Sequence, residues 1–573
     1  MRQILLQIAR EQWKQLTASF VVGISQTVVG LFSIVFFQQL LDELVAVQAL
    51  DPLLPTLLVY GGLTGLNHLL IYLSGYPRSL LENGSYLWVK LQAMKKIAGI
   101  DFLAYQNLGT GNLVQLVENG ATATQQIFNN FYVQIIRDMI PSAIVAFLLI
   151  RSYDQTLFVI LLGVFGLLFL FSFYLMAFLQ RETDRMLAGQ ENFARFSTRG
   201  FMEMVVFRVN GRFAYELQRI STIADDIVRA RAKLYLVQEL FFTGFAALVF
   251  LIEMGVIVQQ GLKIIDGTST IGTLVALVTF VKTAQGPISQ FSIAWVQYKV
   301  DIVAFRRLQT FLALPDDQGL AQTELLAIGK GDIDFEDVTF AYPAQPILTD
   351  FSLHCAGGQT TALVGTSGSG KTTLIRLLLQ LVKPEKGRVL VDKRPLSTIN
   401  LNSFYPQVAY IPQEPPIFDG TIRENLLFDA EMSPEKLDGI LQQVGLSKLI
   451  GRLPNGLETL VGERGIKLSG GERQRLAFGR LLVQDPKLVI LDEPTASLDS
   501  LTEAFINENL TRFLQGRTVI IIAHRLQTVQ AADKIVVLEA GKITQQGNFS
   551  ALVEQSGTFQ NLWHMQASEK VSC

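Results

Sequence analysis

Apolar residues fall into two regimes along this chain. Before about residue 310 they gather in long runs, near 17–43, 53–76, 134–151, 155–179, 239–261 and 268–298. Each run reaches or nearly reaches the roughly 20 residues with which a helix crosses hydrocarbon. The pattern therefore predicts an α-helical domain of six transmembrane spans. Further spans follow the first run and no small-residue cleavage site is evident, so that run reads as a span rather than a signal. Later in the chain the apolar stretches are short, as in Thr361-Ala-Leu-Val364 and Leu488-Val-Ile-Leu491, and predict strands of an α/β domain. The predicted division is a membrane domain over residues 1–315, a polar linker over 316–330 and the α/β domain over 331–573. Leu314-Pro-Asp-Asp-Gln-Gly319 and Gly329-Lys-Gly331 mark the linker.

Two segments between spans, about 82–136 and 181–238, are polar yet patterned as helices. Arg2, Arg10 and Lys14 precede the first span, Lys90, Lys95 and Lys96 follow the second, and Arg181, Arg185, Arg195 and Arg199 follow the fourth. The opposite segments are short and hold only Arg151 and Lys263 at their margins, which predicts a multi-pass protein with both termini cytoplasmic. Charged residues make up 17% of the chain and mean hydropathy is +0.33, in keeping with a partner that is a lipid bilayer. A net charge of −2 gives no case for nucleic acid. Cys355 and Cys573 are too few for a disulfide framework.

The chemistry concentrates after residue 360. Gly365-Thr-Ser-Gly-Ser-Gly-Lys-Thr372 has the spacing of a phosphate-binding loop, with an apolar strand before it and a helix after it. Gly365, Thr366, Ser367, Gly368, Ser369, Gly370, Lys371, Thr372 and Thr373 are the predicted phosphate cradle. The glycines let successive N–H groups turn inward, and the following helix adds the positive end of its dipole. Lys371 should reach the β- and γ-phosphates of ATP, and the Thr372 hydroxyl should hold Mg²⁺. Leu488-Val-Ile-Leu-Asp-Glu493 delivers two carboxylates from the end of an apolar strand, Asp492 on the Mg²⁺ side and Glu493 placed to polarise the attacking water.

With Leu468-Ser-Gly-Gly-Glu472 between those two motifs, the chain from about residue 331 onward resembles the ATP-binding cassette family. The resemblance implies further roles. Tyr342, in Phe340-Ala-Tyr-Pro343, looks like the aromatic that stacks on adenine. Gln413, in Tyr410-Ile-Pro-Gln-Glu414, resembles the glutamine that senses Mg²⁺ and the membrane part. Val461-Gly-Glu-Arg-Gly465 resembles the coupling segment of exporters, and Ser469, Gly470 and Gly471 the residues that close over the partner's γ-phosphate. Asp499 looks like the loop aspartate after the hydrolytic carboxylate, and His524 like the switch histidine. The whole then resembles a half-transporter of type I exporter architecture, in which residues 101–112 and 207–212 tip the two cytoplasmic extensions. Such a chain pairs with a second copy or a related half-transporter in a bacterial cytoplasmic membrane.

Polar residues inside the spans are candidates for a substrate cavity, since a charge at hydrocarbon depth is costly unless it faces a cavity or a partner. These are Glu253, Lys282 and His68, and Pro287 is expected to kink the sixth helix. Counted from the ends of the apolar runs, Glu253 lies about 10 Å and Lys282 about 20 Å deep, an offset that argues against a direct pair. The function that fits is ATP-driven transport of an amphipathic, lipid-like or peptide substrate, most simply export or flipping. An importer of a metal chelate, or a nucleotide-gated channel with little turnover, is the alternative, and intact Glu493 and His524 weigh against the channel.

Overall fold

The computed structural model describes residues 2–46, 51–343, 345–428, 430–462, 467–495, 500–523 and 525–571. The chain divides into two compact units, Met1–Ala98 with Asn107–Leu314, and Gly99–Gln106 with Pro315–Cys573.

The first unit is helical because its long apolar runs must satisfy every backbone group internally. It comprises α1 (Arg2–Glu11), α2 (Trp13–Ala46), α3 (Leu54–Gly99), which ends at the boundary of the unit, and α5 (Thr110–Ile127), beyond the short α4 (Phe102–Leu108). From α5 a π-helical stretch, Phe128–Met139, leads into α6 (Ile140–Tyr153). Then come α7 (Gln155–Met202), α8 (Met204–Val209), α9 (Phe213–Ile265) and α10 (Ile271–Leu312). Six long helical rods thus coincide with the six apolar runs. Among the described residues, stretches 13–46, 51–99, 111–153 and 213–265 are long and apolar enough to cross a membrane, and shorter apolar stretches, Gln155–Leu167 and Ile271–Gly286, lie in α7 and α10. The polar segments between the runs are continuations of these rods. At 53 residues α9 is about 80 Å long, far more than the ~30 Å of hydrocarbon.

The core of this unit lies where α10 meets α6, α7 and α9. Leu277, Phe280, Val281 and Ala284 are buried against Ala146, Ile150, Leu161, Phe165, Phe245 and Val249. Leu148, Val159, Leu162 and Leu251 point outward and are exposed, as a lipid-facing surface requires. Leu31 of α2 joins this core, but where α2 meets the start of α10 the approach is polar. Asp42 Oδ1 accepts the Gly272 N–H at 2.8 Å, its Oδ2 accepts from the Thr270 hydroxyl at 2.9 Å, and Gln38 Nε2 donates to Thr273 Oγ1 at 3.1 Å. The carboxylate caps the positive end of α10 from another helix. Gly272 is what permits it: a Cβ there would stand 2.3 Å from the Gln38 carbonyl oxygen.

One expectation is corrected here. Lys282 Nζ lies 3.9 Å from Glu253 Oε2, so the two charges do face each other. Hydropathy placed the outer ends of the runs at 261 and 268, whereas α9 extends to Ile265 and α10 begins at Ile271. Glu253 then stands twelve residues from one end and Lys282 eleven from the other, a difference of about 1.5 Å along the helices. His68 is elsewhere, its Nδ1 2.8 Å from the Thr64 carbonyl oxygen one turn back on α3.

The second unit holds strands β1 (Ile333–Tyr342), β2 (Gln345–Cys355), β3 (Thr360–Gly365), β4 (Lys386–Val391), β5 (Arg394–Pro395), β6 (Val408–Ile411), β7 (Leu488–Asp492), β8 (Thr518–Ile522), β9 (Lys534–Glu539) and β10 (Lys542–Gly547). Its helices are α11 (Lys371–Leu378), α12 (Leu401–Phe404), α13 (Ile422–Leu427), α14 (Pro434–Gln443), α15 (Ser447–Arg452), α16 (Gly470–Gln484), α17 (Ser500–Leu514), α18 (Phe549–Glu554) and α19 (Thr558–Val571). The main sheet runs β10-β9-β3-β8-β7-β6, parallel from β9 to β6, and an antiparallel sheet runs β2-β1-β4-β5. Parallel strands buried on both faces explain the continuous apolar runs of β3 and β7.

Two stretches outside the predicted α/β boundaries belong to this unit. Leu326 and Ile328, in the expected linker, are buried in its core. Residues 99–106 are the other: Asp101 N–H donates to the Pro315 carbonyl at 3.1 Å, Asp317 N–H to the Gly99 carbonyl at 2.8 Å, and Phe102 and Leu103 pack on the same core.

Replacing Gly272 with Ala forces α2 and α10 apart and should destabilise the membrane unit by about 1–3 kcal/mol. A thermal melt of the detergent-solubilised protein checks this, and a midpoint equal to that of the unmodified chain would contradict the close approach.

Candidate functional site

The site is built where parallel strands end. β3 stops at Gly365, the loop turns through Gly368 (φ 79°) and Gly370 (φ 105°), and α11 starts at Lys371. A Cβ on Gly365 would lie 2.1 Å from the Leu538 carbonyl oxygen of β9, so only glycine lets the loop leave the sheet here. Ser369 ties the turn together. Its N–H donates to the Thr366 carbonyl at 3.2 Å, and its carbonyl accepts from Gly541 N–H at 3.2 Å. Thr366, Ser367, Gly368 and Thr372 are exposed, while Ser369, Thr373 and Lys371 are buried.

Lys371 is 5% exposed, and its ammonium donates to the Gly365 and Thr366 carbonyls at 2.8 and 2.9 Å. Burial lowers its pKa, against the opposing charges of Asp492 and Glu493. Those carboxylates come from the end of β7, separated from β3 by β8 alone. Glu493 has φ 48°, a left-handed backbone uncommon for a residue with a Cβ, and its N–H donates to the Ile522 carbonyl at 3.0 Å. Strain of this kind collects at working positions. Gln413 Nε2 donates to Glu493 Oε2 at 2.8 Å, which brings together two residues 80 positions apart.

The N-terminus of α16 is the other place where the sequence predicts an anion. Ser469 caps it, accepting from Glu472 N–H at 3.3 Å, while Glu472 Oε2 accepts from Ser469 N–H at 2.7 Å. The reciprocal cap fixes Gly470 and Gly471 at the start of a 15-residue helix, where peptide dipoles favour negative charge.

Tyr342 sits at the end of β1, its ring 4.9 Å edge-on to that of Phe340. Residues 463–465, Asp499 and His524 lie outside the described residues, and Pro287 lies in α10 where side chains are not described. Glu253, Lys282 and His68 belong to the helical unit. Three residues at the site escaped the motif reading. Tyr410 hydrogen-bonds Asp492, with its phenol pushed up to about 12 by burial and by that carboxylate. Arg376 Nη1 donates to the Tyr342 phenol oxygen at 2.8 Å. Glu503 accepts from the Thr495 hydroxyl at 2.8 Å and lies 3.7 Å from Arg525. Tyr410 stood within the stretch read for Gln413, and its strand position was the signal available.

Comparison with known proteins agrees with this fold. Residues 16–288 match the model of the ABC transporter transmembrane region, and residues 348–496 match that of the ABC transporter. An ATP-dependent lipid A-core flippase of Xanthomonas campestris pv. campestris is 32% identical over 63% of this chain and 62% of its own length, less than two thirds of that relative. Flippases of the same description from Alcanivorax borkumensis and Cupriavidus metallidurans are 30% and 29% identical, over 68% and 89% of this chain and 67% and 86% of their own. A bacterial Atm1-family ABC exporter solved with ATP bound shares the fold, with a TM-score of 0.82 and 22% identity over 98% of both chains. The chain belongs to the ABC transporter family, carrying that family's membrane region and its nucleotide-binding cassette on one polypeptide.

Proposed function

We propose that this chain is an ATP-driven transporter that works as a dimer and moves an amphipathic, lipid-like substrate across or between the leaflets of a bacterial cytoplasmic membrane. The observation that carries the reading is the Gln413–Glu493 bond at the end of the strand that also presents Asp492, with the buried Lys371 under the charge of both carboxylates. The lipid-like cargo is supported by the description of the three relatives as lipid A-core flippases and by the exposed apolar faces of the helical rods. Cytoplasmic termini and six spans are supported by the placement of Lys and Arg along the chain.

The residues divide the work as follows. Exposed loop amides from Thr366 to Gly368 receive the phosphates, and Lys371 turns from the loop carbonyls to the β- and γ-phosphates. Tyr342 takes the adenine. Thr372, Asp492 and Gln413 would hold Mg²⁺, which would supply positive charge against the phosphates. The donor set of one hydroxyl, one carboxylate and one amide suits Mg²⁺, which draws its remaining oxygens from phosphate and water. Glu493 orients and polarises the water that attacks the γ-phosphorus. Ser469, Gly470 and Gly471, at the start of α16, close over the phosphate held by the partner's loop. Two copies are therefore needed for a complete site, and each chain supplies every part of both halves. In the sequence, Asp499 and His524 complete the family pattern.

Glu493→Gln should retain nucleotide binding and lose about 10²–10⁴-fold of Mg²⁺-dependent ATPase in the purified protein. Turnover near the level of the unmodified chain would remove Glu493 from its role. Lys371→Ala should weaken nucleotide affinity itself by about 10- to 100-fold, read by equilibrium titration. Unchanged affinity would show that another cation holds the phosphates. In the membrane unit Lys282 Nζ lies 3.9 Å from Glu253 and its side chain is 62% exposed; facing a water-filled cavity, so long a pair should contribute less than about 1 kcal/mol. Glu253→Gln and Lys282→Met should then leave the melting midpoint nearly in place and alter stimulation by lipid substrate in proteoliposomes. Loss of stability in both single variants, restored in the double variant, would assign the pair to helix packing instead.

A further inference from the structure

The helix that carries the phosphate lysine also carries Arg376, and this guanidinium meets side chains from three distant parts of the chain. Its Nη1 donates to the Tyr342 phenol oxygen at 2.8 Å. Its central carbon stands 5.9 Å from the centroid of the Phe102 ring, within reach of a cation over an aromatic face. Its charge also acts on the phenol of Tyr410, which is bonded to Asp492. A long cation adopts one orientation only where its partners hold it, and here the partners sit on β1, on α4 and on β6.

Phe102 makes this arrangement more than local packing. Residues 99–106 belong to the cassette unit, yet the chain on both sides of them, up to Ala98 and from Asn107, belongs to the helical unit. Phe102 and Leu103 pack on the same apolar cluster as Tyr342, Leu374, Ile375 and Leu378. Arg376 is thus the polar link between a segment tethered at both ends to the membrane helices and the tyrosine at the nucleotide site.

We infer that Arg376 is a positioning residue for the nucleotide base. It fixes the Tyr342 ring through the phenol and is itself held by Phe102. A displacement of residues 99–106 by their flanking helices changes the stacking surface that the base meets. By linkage, a base stacked there restrains the segment. The inference rests on the reading of Tyr342 as the base-contact residue.

The test uses full-length protein in lipid nanodiscs and two probes, ATP and inorganic tripolyphosphate, which lacks the base. Arg376→Met and Phe102→Leu should each weaken ATP binding about fivefold, although Phe102 is not a nucleotide-site residue. The double variant should bind no more weakly than Arg376→Met alone, because both changes cut one link. Phe102→Tyr, which keeps the ring, should bind ATP as the unmodified chain does. Affinity for tripolyphosphate should stay constant throughout. The inference is overturned by unchanged ATP affinity in Phe102→Leu, by losses that multiply in the double variant, or by tripolyphosphate affinity falling in parallel. An unmodified chain that binds ATP no more tightly than tripolyphosphate would remove the base-contact reading itself, and the inference with it.

Discussion

The constraint on which the cassette depends is the buried ammonium of Lys371. A cation almost wholly withdrawn from water is tolerable only if fixed dipoles and opposite charges surround it. Two loop carbonyls supply the dipoles, and Asp492 and Glu493 supply the charge. Both sources require a parallel sheet in which β3 and β7 end on the same side with β8 between them. The strand register, the glycine turn and the left-handed backbone at Glu493 all follow from delivering these groups to one place.

That arrangement also makes the site responsive. Lys371 is bonded to its own loop, and Gln413 is bonded to Glu493, so both are held by contacts that a phosphate and a metal would compete for. Gln413 lies two residues past the end of β6, the strand that carries Tyr410, the partner of Asp492. The two carboxylates at the end of β7 are therefore in contact with the chain on two sides, through Gln413 and through Tyr410. In the helical unit the contrast between an apolar core around α10 and a polar contact of α2 with residues 270–273 marks that contact as the one more easily exchanged with water. Apolar contacts there would have to be exposed on parting, whereas Asp42 and Thr270 remain satisfied by solvent.

Much of this was legible in the chain itself. Lys371 stands in one contiguous motif and Asp492 with Glu493 in another, each with a spacing imposed by strand–loop–helix geometry, and the structure brings them to one place as that spacing predicts. Six apolar runs match six rods for a similar reason, since hydrocarbon thickness sets a minimum length. Helix ends were less legible. Hydropathy marks where apolar residues stop, not where backbone bonding stops, and at their facing ends α9 and α10 differ from their apolar runs by a few residues. That difference alone separated Glu253 from Lys282 in depth. Contacts across strands were hidden for another reason. Tyr410 with Asp492, Arg376 with Tyr342, and residues 99–106 within the cassette unit depend on which strands and segments become neighbours, and no local pattern encodes that.

The central claim is that hydrolysis at this site moves an amphipathic molecule between leaflets. Its most direct measurement is the sidedness of a fluorescent lipid A analogue in proteoliposomes that contain only this chain, oriented with cassettes outward. On addition of Mg²⁺ and ATP outside, the account predicts that label moves from the outer to the inner leaflet, and that the Glu493→Gln protein leaves it in place. Sustained ATP hydrolysis with no redistribution of label would contradict it.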